Sequence, residues 1–227
     1  NPIDSNSTAN AAPTDLNNSA PLSFFENQPI GTLITDFNAT DPDANATLTF
    51  SISGPNAPLF RIDQNGTLFT NAIFDFETNA SDYNLLVRVT DQHNAFLEIS
   101  KNIVLENTNE LPDQISLTGP HFLENQPIGT FIGDFNATNP NANSTFTYSI
   151  AGSNAHLFNI EPDGSLFTNA IFDFENGPSQ YSIKVRVSDE WNASIEKEFT
   201  IQILDLDENA PVISLLGESI ITLLSTD

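Results

Sequence analysis

The stretch "LFTNAIFDFE" at residues 68–77 occurs a second time, unchanged, at residues 166–175. Each copy ends in Phe-Asp-Phe-Glu, so two aromatic residues alternate with two acidic residues. If this end were a strand, one face would be apolar and the other face would carry two like charges. Neighbouring carboxylates repel each other, so the repetition of such a pair needs a physical reason.

The repetition extends far beyond these ten residues. The segment Glu-Asn-Gln-Pro-Ile-Gly-Thr at residues 26–32 recurs at residues 124–130, again 98 positions later and without a gap. Further pairs at the same offset are Phe60 and Phe158, Asp75 and Asp173, Tyr83 and Tyr181, Arg88 and Arg186, and Asp91 and Asp189. A fixed offset of this length indicates tandem duplication of one domain of about a hundred residues.

Short stretches of alternating apolar and polar residues recur within each copy. Residues 47–53 and 146–152 alternate in this way, as half-buried strands do. In the stretch 83–91, one face is predicted to carry Tyr83, Leu85, Val87 and Val89, and the other Arg88 and Thr90. The segments 63–66 and 161–164 lie between apolar runs and have the composition of tight turns. About seven short strands per copy, with no sustained helical period, predict an all-β chain of antiparallel β-sandwiches.

The junction sequences set the predicted domain boundaries. Asn-Thr-Asn-Glu-Leu-Pro at 107–112 precedes the second copy, and Asp-Leu-Asp-Glu-Asn-Ala-Pro at 205–211 follows it. The predicted segments are a linker or the end of a preceding module at 1–13, a first repeat at 14–110, a second repeat at 111–209, and an overhang or first strand of a following domain at 210–227.

The charge of the chain excludes several classes of function. Acidic residues number 30 and basic residues 6, so the net charge is −24. A nucleic-acid partner and an anionic membrane surface are therefore disfavoured by repulsion.

The chain has no Cys, so neither disulfides nor thiol chemistry are available. No apolar run is long enough to predict a membrane span in this segment.

The order of the repeated motifs resembles the cadherin repeat. It comprises Glu-Asn-x-Pro-x-Gly-Thr, Asp-Pro-Asp, Phe-x-Ile, Asp-x-Glu, Tyr-x-x-x-Val-x-Val-x-Asp and a closing Asp-x-Asp-Glu-Asn-x-Pro. The Phe-Asp-Phe-Glu form and the Asn-Glu-Leu-Pro junction are similar to tandem cadherin-like repeats of large bacterial surface proteins. The resemblance covers roughly residues 10–211 and implies two tandem Greek-key β-sandwiches.

The resemblance also implies calcium ions between consecutive repeats, where they rigidify the junction. Calcium takes six to eight oxygen ligands, and a divalent cation makes neighbouring carboxylates favourable. The implied ligands of the middle junction are Glu26, Asp75, Glu77, Asn107, Asn109, Glu110, Asn139, Asn141 and Asp189. The half-site after the second repeat would comprise Glu124, Asp173, Glu175, Asp205, Asp207, Glu208 and Asn209. The half-site in front of the first repeat would comprise Asp41, Asp43 and Asp91.

The second repeat departs from the family pattern at two of these positions. Asp41-Pro-Asp43 of the first repeat becomes Asn139-Pro-Asn141, and the middle linker is one residue shorter than the last. In the family these positions serve the ion nearest the following domain. We therefore expect one or two ions at the middle junction instead of the three that the family can hold.

Several functions remain to be distinguished. The three histidines, His93, His121 and His156, do not recur between the copies, so no catalytic constellation is visible and an enzyme is not predicted. The resemblance predicts a calcium-binding extracellular adhesion module of a cell-surface protein, with neighbouring repeats or copies of itself as partners. The alternatives are a structural spacer or filament subunit joined by terminal strand exchange, and a module that binds a surface protein or a polysaccharide.

Trp191, the only tryptophan, is predicted to be either a core or loop-end residue or an exposed binding aromatic.

Overall fold

The computed structural model describes residues 9–208. Within this range the chain forms two compact units, one ending at Asn109 and the other beginning at Glu110. Each unit contains eight β-strands and a single three-residue 3-10 turn, and the two sets of strands follow the same order. The predicted all-β architecture is confirmed.

The first unit is a sandwich of two four-stranded sheets, with strand orders β1-β3-β6-β5 and β2-β8-β7-β4. The strands are β1 (Thr14–Asn18), β2 (Ser23–Phe25), β3 (Leu33–Thr40), β4 (Thr49–Ser53), β5 (Phe60–Ile62), β6 (Thr67–Thr70), β7 (Asp82–Thr90) and β8 (Phe96–Glu106). The chain crosses between the two sheets after β1, β2, β3, β4 and β6, as in a Greek-key sandwich.

The second unit repeats this arrangement, with sheets of order β9-β11-β14-β13 and β10-β16-β15-β12. Its strands are β9 (Gln114–Leu117), β10 (His121–Leu123), β11 (Phe131–Thr138), β12 (Phe146–Ala151), β13 (Phe158–Ile160), β14 (Ser165–Thr168), β15 (Gln180–Asp189) and β16 (Ser194–Leu204).

The core of each unit lies between its two sheets and is rich in aromatic rings. Phe74, the first aromatic of the Phe-Asp-Phe-Glu segment, is only 3% exposed. It packs edge to face on Phe24, with 4.8 Å between ring centroids, and on Tyr83 at 5.2 Å. Phe172 makes the equivalent contact with Tyr181 in the second unit, at 5.1 Å. The repeated aromatic residues thus form the core of each sandwich.

The opening strand of each unit is divided in two, which gives eight strands where about seven were expected. In the first unit β1 pairs with β3 in one sheet, whereas β2 pairs with β8 in the other. The chain crosses from one sheet to the other at residues 19–22, which include Pro21 and its missing amide hydrogen. The pairing of β2 with β8 is parallel, as is that of β10 with β16, so the sandwiches are not wholly antiparallel.

The Phe-Asp-Phe-Glu segment is not a strand, so the interpretation of its alternation as two faces of a strand is wrong. Strand β6 ends at Thr70, and residues 76–78 form a turn. The carboxylate oxygen Oδ1 of Asp75 accepts hydrogen bonds from the backbone amides of Glu77 at 3.0 Å and Thr78 at 3.2 Å. Because the local carboxylate takes these amides, they are not available to a strand ladder.

The predicted turns at 63–66 and 161–164 are confirmed as the hairpins that join β5 to β6 and β13 to β14. In the first hairpin the amide of Gly66 donates to the carbonyl of Asp63 at 3.0 Å. Gly66 has φ of 97°, and a Cβ atom there would lie 2.5 Å from the carbonyl oxygen of Phe37. Glycine is therefore required at this position.

Candidate metal centres

At the end of each unit where the last strand finishes, a fully buried glutamate holds the predicted ligand segments together. Glu26 and Glu124 are each 0% exposed. The two carboxylate oxygens of Glu26 accept hydrogen bonds from the backbone amides of Phe76 at 2.7 Å and Thr108 at 2.8 Å. This single side chain therefore joins the end of β2, the Phe-Asp-Phe-Glu turn and the segment that follows β8.

The second unit reproduces this arrangement closely. Glu124 accepts hydrogen bonds from the amide of Phe174 at 2.6 Å and from the amide of Leu206 at 3.0 Å. A buried carboxylate with two amide donors is satisfied without a metal ion. The motif Glu-Asn-Gln-Pro predicted a ligand at this position, whereas its role in joining distant backbone segments was not predicted.

The second unit collects a group of glutamates that we call the acidic group: Glu124, Glu175 and Glu208. One carboxylate oxygen of each lies within 4.8 Å of the other two. Asn125 donates a hydrogen bond to Glu208. A backbone hydrogen bond lowers the pKa of Glu175, but desolvation and repulsion from Glu124, Asp205 and Glu208 outweigh it and raise the pKa. The negative charges of these carboxylates therefore repel one another, and a cation bound between them would relieve that repulsion.

The first unit contains the equivalent pair. The carboxylate oxygens of Glu26 and Glu77 approach within 4.8 Å of each other. The side-chain amide of Asn107 donates to Oε1 of Glu77 at 3.2 Å. Three of the predicted ligands of the first unit thus lie close together, at the end of the sandwich where β8 ends.

The aspartates of the Asp-x-Glu motif are directed differently. Asp75 is occupied by its own turn, and its backbone amide donates to Oδ1 of Asn79 at 3.0 Å. In the second unit the side chain and backbone of Asn176 both donate to the carboxylate of Asp173, and these hydrogen bonds lower its pKa despite some desolvation. The structure therefore does not include either aspartate in the groups of close carboxylates.

The N-terminal end of the first unit contains the predicted Asp41, Asp43 and Asp91. Oδ1 of Asp41 accepts the backbone amide of Asp43 at 2.8 Å, and Oδ2 of Asp43 accepts the amide of Ala11 at 2.8 Å. The remaining oxygen of Asp41, Oδ2, is buried and has no hydrogen-bond partner among residues 9–208. A buried carboxylate oxygen without a donor is the environment that a cation would satisfy.

Asp91 is 5% exposed and holds the turn between β7 and β8. Its Oδ1 accepts the backbone amides of His93 at 2.7 Å and Ala95 at 2.9 Å, and its Oδ2 accepts the side-chain amide of Asn10 at 2.8 Å. Burial acts to raise the pKa of Asp91, but these three hydrogen bonds, together with electrostatic attraction to His93, outweigh it and hold the pKa below its ordinary value. Asn10 was not predicted as part of this end.

The N-terminal end of the second unit has amides in place of two carboxylates. Asn141 accepts the backbone amide of Glu110 at 2.7 Å through Oδ1, and Asn139 donates to the carbonyl of Glu110 at 3.2 Å through Nδ2. Asp189 is buried and accepts the amides of Trp191 and Ala193, each at 2.9 Å. The backbone contacts resemble those of the first unit, but the two asparagines carry no charge where Asp41 and Asp43 carry two negative charges.

The remaining predicted ligands lie at the ends of the units. Asn109 is the last residue of the first unit, and Asp205 and Asp207 follow β16 next to Glu208. Asn209 lies outside the described residues, as do most of the predicted segment 1–13 and all of 210–227. Trp191 is 73% exposed at the turn between β15 and β16, so it is a loop-end residue and not part of the core.

The donor chemistry of these ends fits calcium. The candidate ligands are carboxylate and amide oxygens, which hard cations prefer, and none is a histidine or cysteine. The repelling glutamates and the buried oxygen of Asp41 are the two structural features that a divalent cation would stabilise. Within residues 9–208, no helix has the length and apolar character that crossing a membrane would require.

Comparison with known proteins identifies the repeats. A model of the cadherin domain matches residues 21–104 and 121–204. Human protocadherin Fat 4 is 32% identical over 209 residues, which cover 86% of this chain and 4% of that protein. Chimpanzee protocadherin gamma-C5 is 32% identical over 222 residues, which cover 87% of this chain and 23% of that protein. The chain therefore spans less than a quarter of either relative.

Solved structures share the fold. The crystal structure of human protocadherin-24 EC1-2 superposes with a TM-score of 0.65 at 21% sequence identity, covering 87% of this chain and 100% of that one. A second crystal form of the same fragment gives a TM-score of 0.64 at 22% identity. At this level of identity the likeness establishes the architecture alone.

Proposed function

The chain belongs to the cadherin-domain family, and from this premise we propose that calcium ions bound by its acidic ends rigidify the junctions between its tandem repeats. Cadherin domains of the matched proteins are extracellular adhesion modules and not enzymes, so this segment is part of an extracellular adhesion protein.

The acidic group of the second unit is the observation that carries the proposal. Three glutamates place carboxylate oxygens within 4.8 Å of one another, and repulsion among them contributes to the raised pKa of Glu175. Because six to eight oxygens surround a calcium ion, the group supplies part of a coordination shell. Asp205, Asp207 and Asn209 are the proposed further ligands on this side.

The equivalent proposed ligands in the first unit are Glu26, Glu77 and Asn107, with Asn109 as a further candidate, and Glu110 at the start of the second unit stays a predicted ligand. Asp75 and Asp173 remain proposed ligands with a smaller contribution than the glutamates, because the carboxylate of each already accepts hydrogen bonds within its own turn. Binding of an ion would fix the segment after β8 or β16 against the Asp-x-Glu turn, which is a physical basis for stiffening. Asp41, Asp43 and Asp91 are the proposed ligands at the front of the first unit.

Isothermal titration of the full chain with calcium tests this proposal. We expect heat of binding in the wild type and a large reduction of it in the Glu77→Gln/Glu175→Gln double variant, in which only the proposed site at Asp41, Asp43 and Asp91 is unchanged. The matched control is Asp36→Asn/Asp134→Asn, which removes two charges from exposed, equivalent positions of β3 and β11. Equal binding in the double variant and the control would show that net charge, and not the glutamate positions, attracts the ion.

The proposed partner is a second copy of the chain or a neighbouring repeat. Beads coated with the full chain should aggregate in calcium and disperse in chelator if copies bind each other. The spacer or filament function and the binding of a surface protein or polysaccharide stay predictions, because the terminal segments lie outside the described residues and Trp191 is a single exposed ring. The named relatives are animal proteins, so they lend no support to the predicted bacterial source.

A further inference from the structure

We propose that the second unit replaces a cation at its N-terminal end with an amide latch, formed by Asn139 and Asn141 on the backbone of Glu110. This latch fixes the start of the unit without calcium, whereas the equivalent end of the first unit depends on a cation. The inference deepens the proposed function and rests on it for the cation at the first unit only.

Three hydrogen bonds form the latch. The Oδ1 of Asn141 accepts the amide of Glu110 at 2.7 Å, and the Nδ2 of Asn139 donates to the carbonyl of the same residue at 3.2 Å. The Oδ1 of Asn139 accepts the amide of Asn141 at 2.9 Å, which holds the two asparagines together. Both backbone groups of Glu110 are thereby bound by side chains of the loop that follows β11.

The chemistry of these contacts fixes the orientation of Asn139. A flipped side chain would place its NH₂ group against the amide hydrogen of Asn141 and its oxygen against the carbonyl of Glu110. Both contacts would then be repulsive. An aspartate at this position keeps the acceptor but has no donor, so it cannot make the contact with the carbonyl.

The first unit shows what happens when the donor is absent. Asp41 and Asp43 repeat two of the three contacts, to the amides of Asp43 and Ala11, at 2.8 Å each. The oxygen that stands in the place of the Asn139 donor is Oδ2 of Asp41, which is buried without a partner among residues 9–208. One unit thus has a hydrogen bond where the other has an unsatisfied anionic oxygen.

The difference in charge between the two units also indicates that the second unit does not need a cation at this end. Asp-Pro-Asp contributes two negative charges at the front of the first unit, and Asn-Pro-Asn contributes none at the second. Amide oxygens bind calcium more weakly than carboxylates, so the second unit loses affinity for an ion at the place where it gains a donor. The two asparagines therefore replace the ion with hydrogen bonds to the backbone of Glu110, in addition to losing the charges that would bind it.

Reciprocal substitutions in the full chain test the proposal, with thermal unfolding measured in chelator. Asn139→Asp should lower the midpoint of the second unit by roughly 4 to 8 °C, the shift expected for loss of about one hydrogen bond from a domain of this size. Asp41→Asn should raise the midpoint of the first unit, because it removes a buried negative charge whose Oδ2 has no hydrogen-bond partner among residues 9–208. The control Asn143→Asp adds the same charge to an exposed position of the same loop and should change little.

A nuclear magnetic resonance measurement keeps the test independent of unfolding. In chelator, the side-chain NH₂ of Asn139 should exchange with solvent more slowly than that of exposed Asn143. Rapid exchange, or an Asn139→Asp midpoint equal to that of the control, would overturn the latch. Failure of calcium to bind anywhere would overturn the proposed function instead, and it would leave these chelator measurements unaffected.

Discussion

The two units have nearly the same acidic end and different N-terminal ends. Glu26 and Glu124 bind equivalent backbone amides, at 2.7 and 2.8 Å in the first unit and at 2.6 and 3.0 Å in the second. At the other end, one oxygen of Asp41 has no hydrogen-bond partner within the described part of the chain, whereas Asn139 makes a hydrogen bond. Similar backbone contacts therefore accommodate a charged end in the first unit and a neutral one in the second, and on our proposal only the charged end requires a cation.

The largest expected effect comes from the shared glutamate. Glu124→Ala leaves the amides of Phe174 and Leu206 without their acceptor, which should lower the free energy of unfolding of the second unit by about 2 to 4 kcal/mol. Denaturant unfolding in chelator and in calcium measures it. Glu196→Ala, which removes an exposed partner of Lys184, is the control and should have a small effect.

A destabilisation seen only in calcium would contradict the structural role of Glu124. It would mean that the glutamate acts through the ion alone. Glu26→Ala should affect the first unit to the same extent, and a marked difference between the two variants would show that the acidic ends are less alike than their hydrogen bonds indicate.

A smaller effect of opposite sign is expected at Glu175. The folded-state pKa of this carboxyl is raised, so its contribution to stability falls as pH rises through that pKa and the full penalty is present at neutral pH. Glu175→Gln should therefore raise the melting midpoint slightly in chelator at neutral pH and reduce the gain from calcium. A lower midpoint in chelator would show that the glutamates do not repel one another in the protein.

The smallest predicted effect concerns the front of the first unit. Asn10→Ala removes a hydrogen bond that lowers the pKa of Asp91, so the folded-state pKa should rise. The stability that Asp91 contributes is present above its unfolded pKa and is lost as pH falls through its folded pKa. Loss of that stability should therefore begin at a slightly higher pH in the variant. A carboxyl titration followed by nuclear magnetic resonance that gives the same pKa in both proteins would exclude this role.

The local patterns of the sequence predicted the sandwich well. Tyr83, Leu85, Val87 and Val89 form the buried face of β7, as their alternation indicated. Alternation depends only on the period of a strand and on burial of one face, so it is visible without knowledge of the rest of the fold. The hairpin at Gly66 was also predictable, because the residue types that form a tight turn are adjacent in the sequence.

The features that the sequence did not reveal depend on contacts between distant residues. Glu26 and Phe76 are 50 positions apart, and their hydrogen bond is one reason that the Phe-Asp-Phe-Glu segment is a turn and not a strand. The candidate ligands came from the family resemblance, and composition alone did not separate Glu77 from Asp75. The structure separates them, since Asp75 is held by its own turn whereas Glu77 lies beside Glu26.

Thermal unfolding of the full chain in millimolar calcium and in chelator tests the central claim most directly, with the Glu77→Gln/Glu175→Gln variant beside the wild type. A ligand at a hundred times its dissociation constant adds about 2.7 kcal/mol to the free energy of unfolding. We predict a clear rise of the wild-type midpoint in calcium and a much smaller rise in the variant, which keeps only the proposed site at Asp41. An unchanged wild-type midpoint, or an equal rise in both proteins, would contradict the assignment of calcium to the glutamate groups.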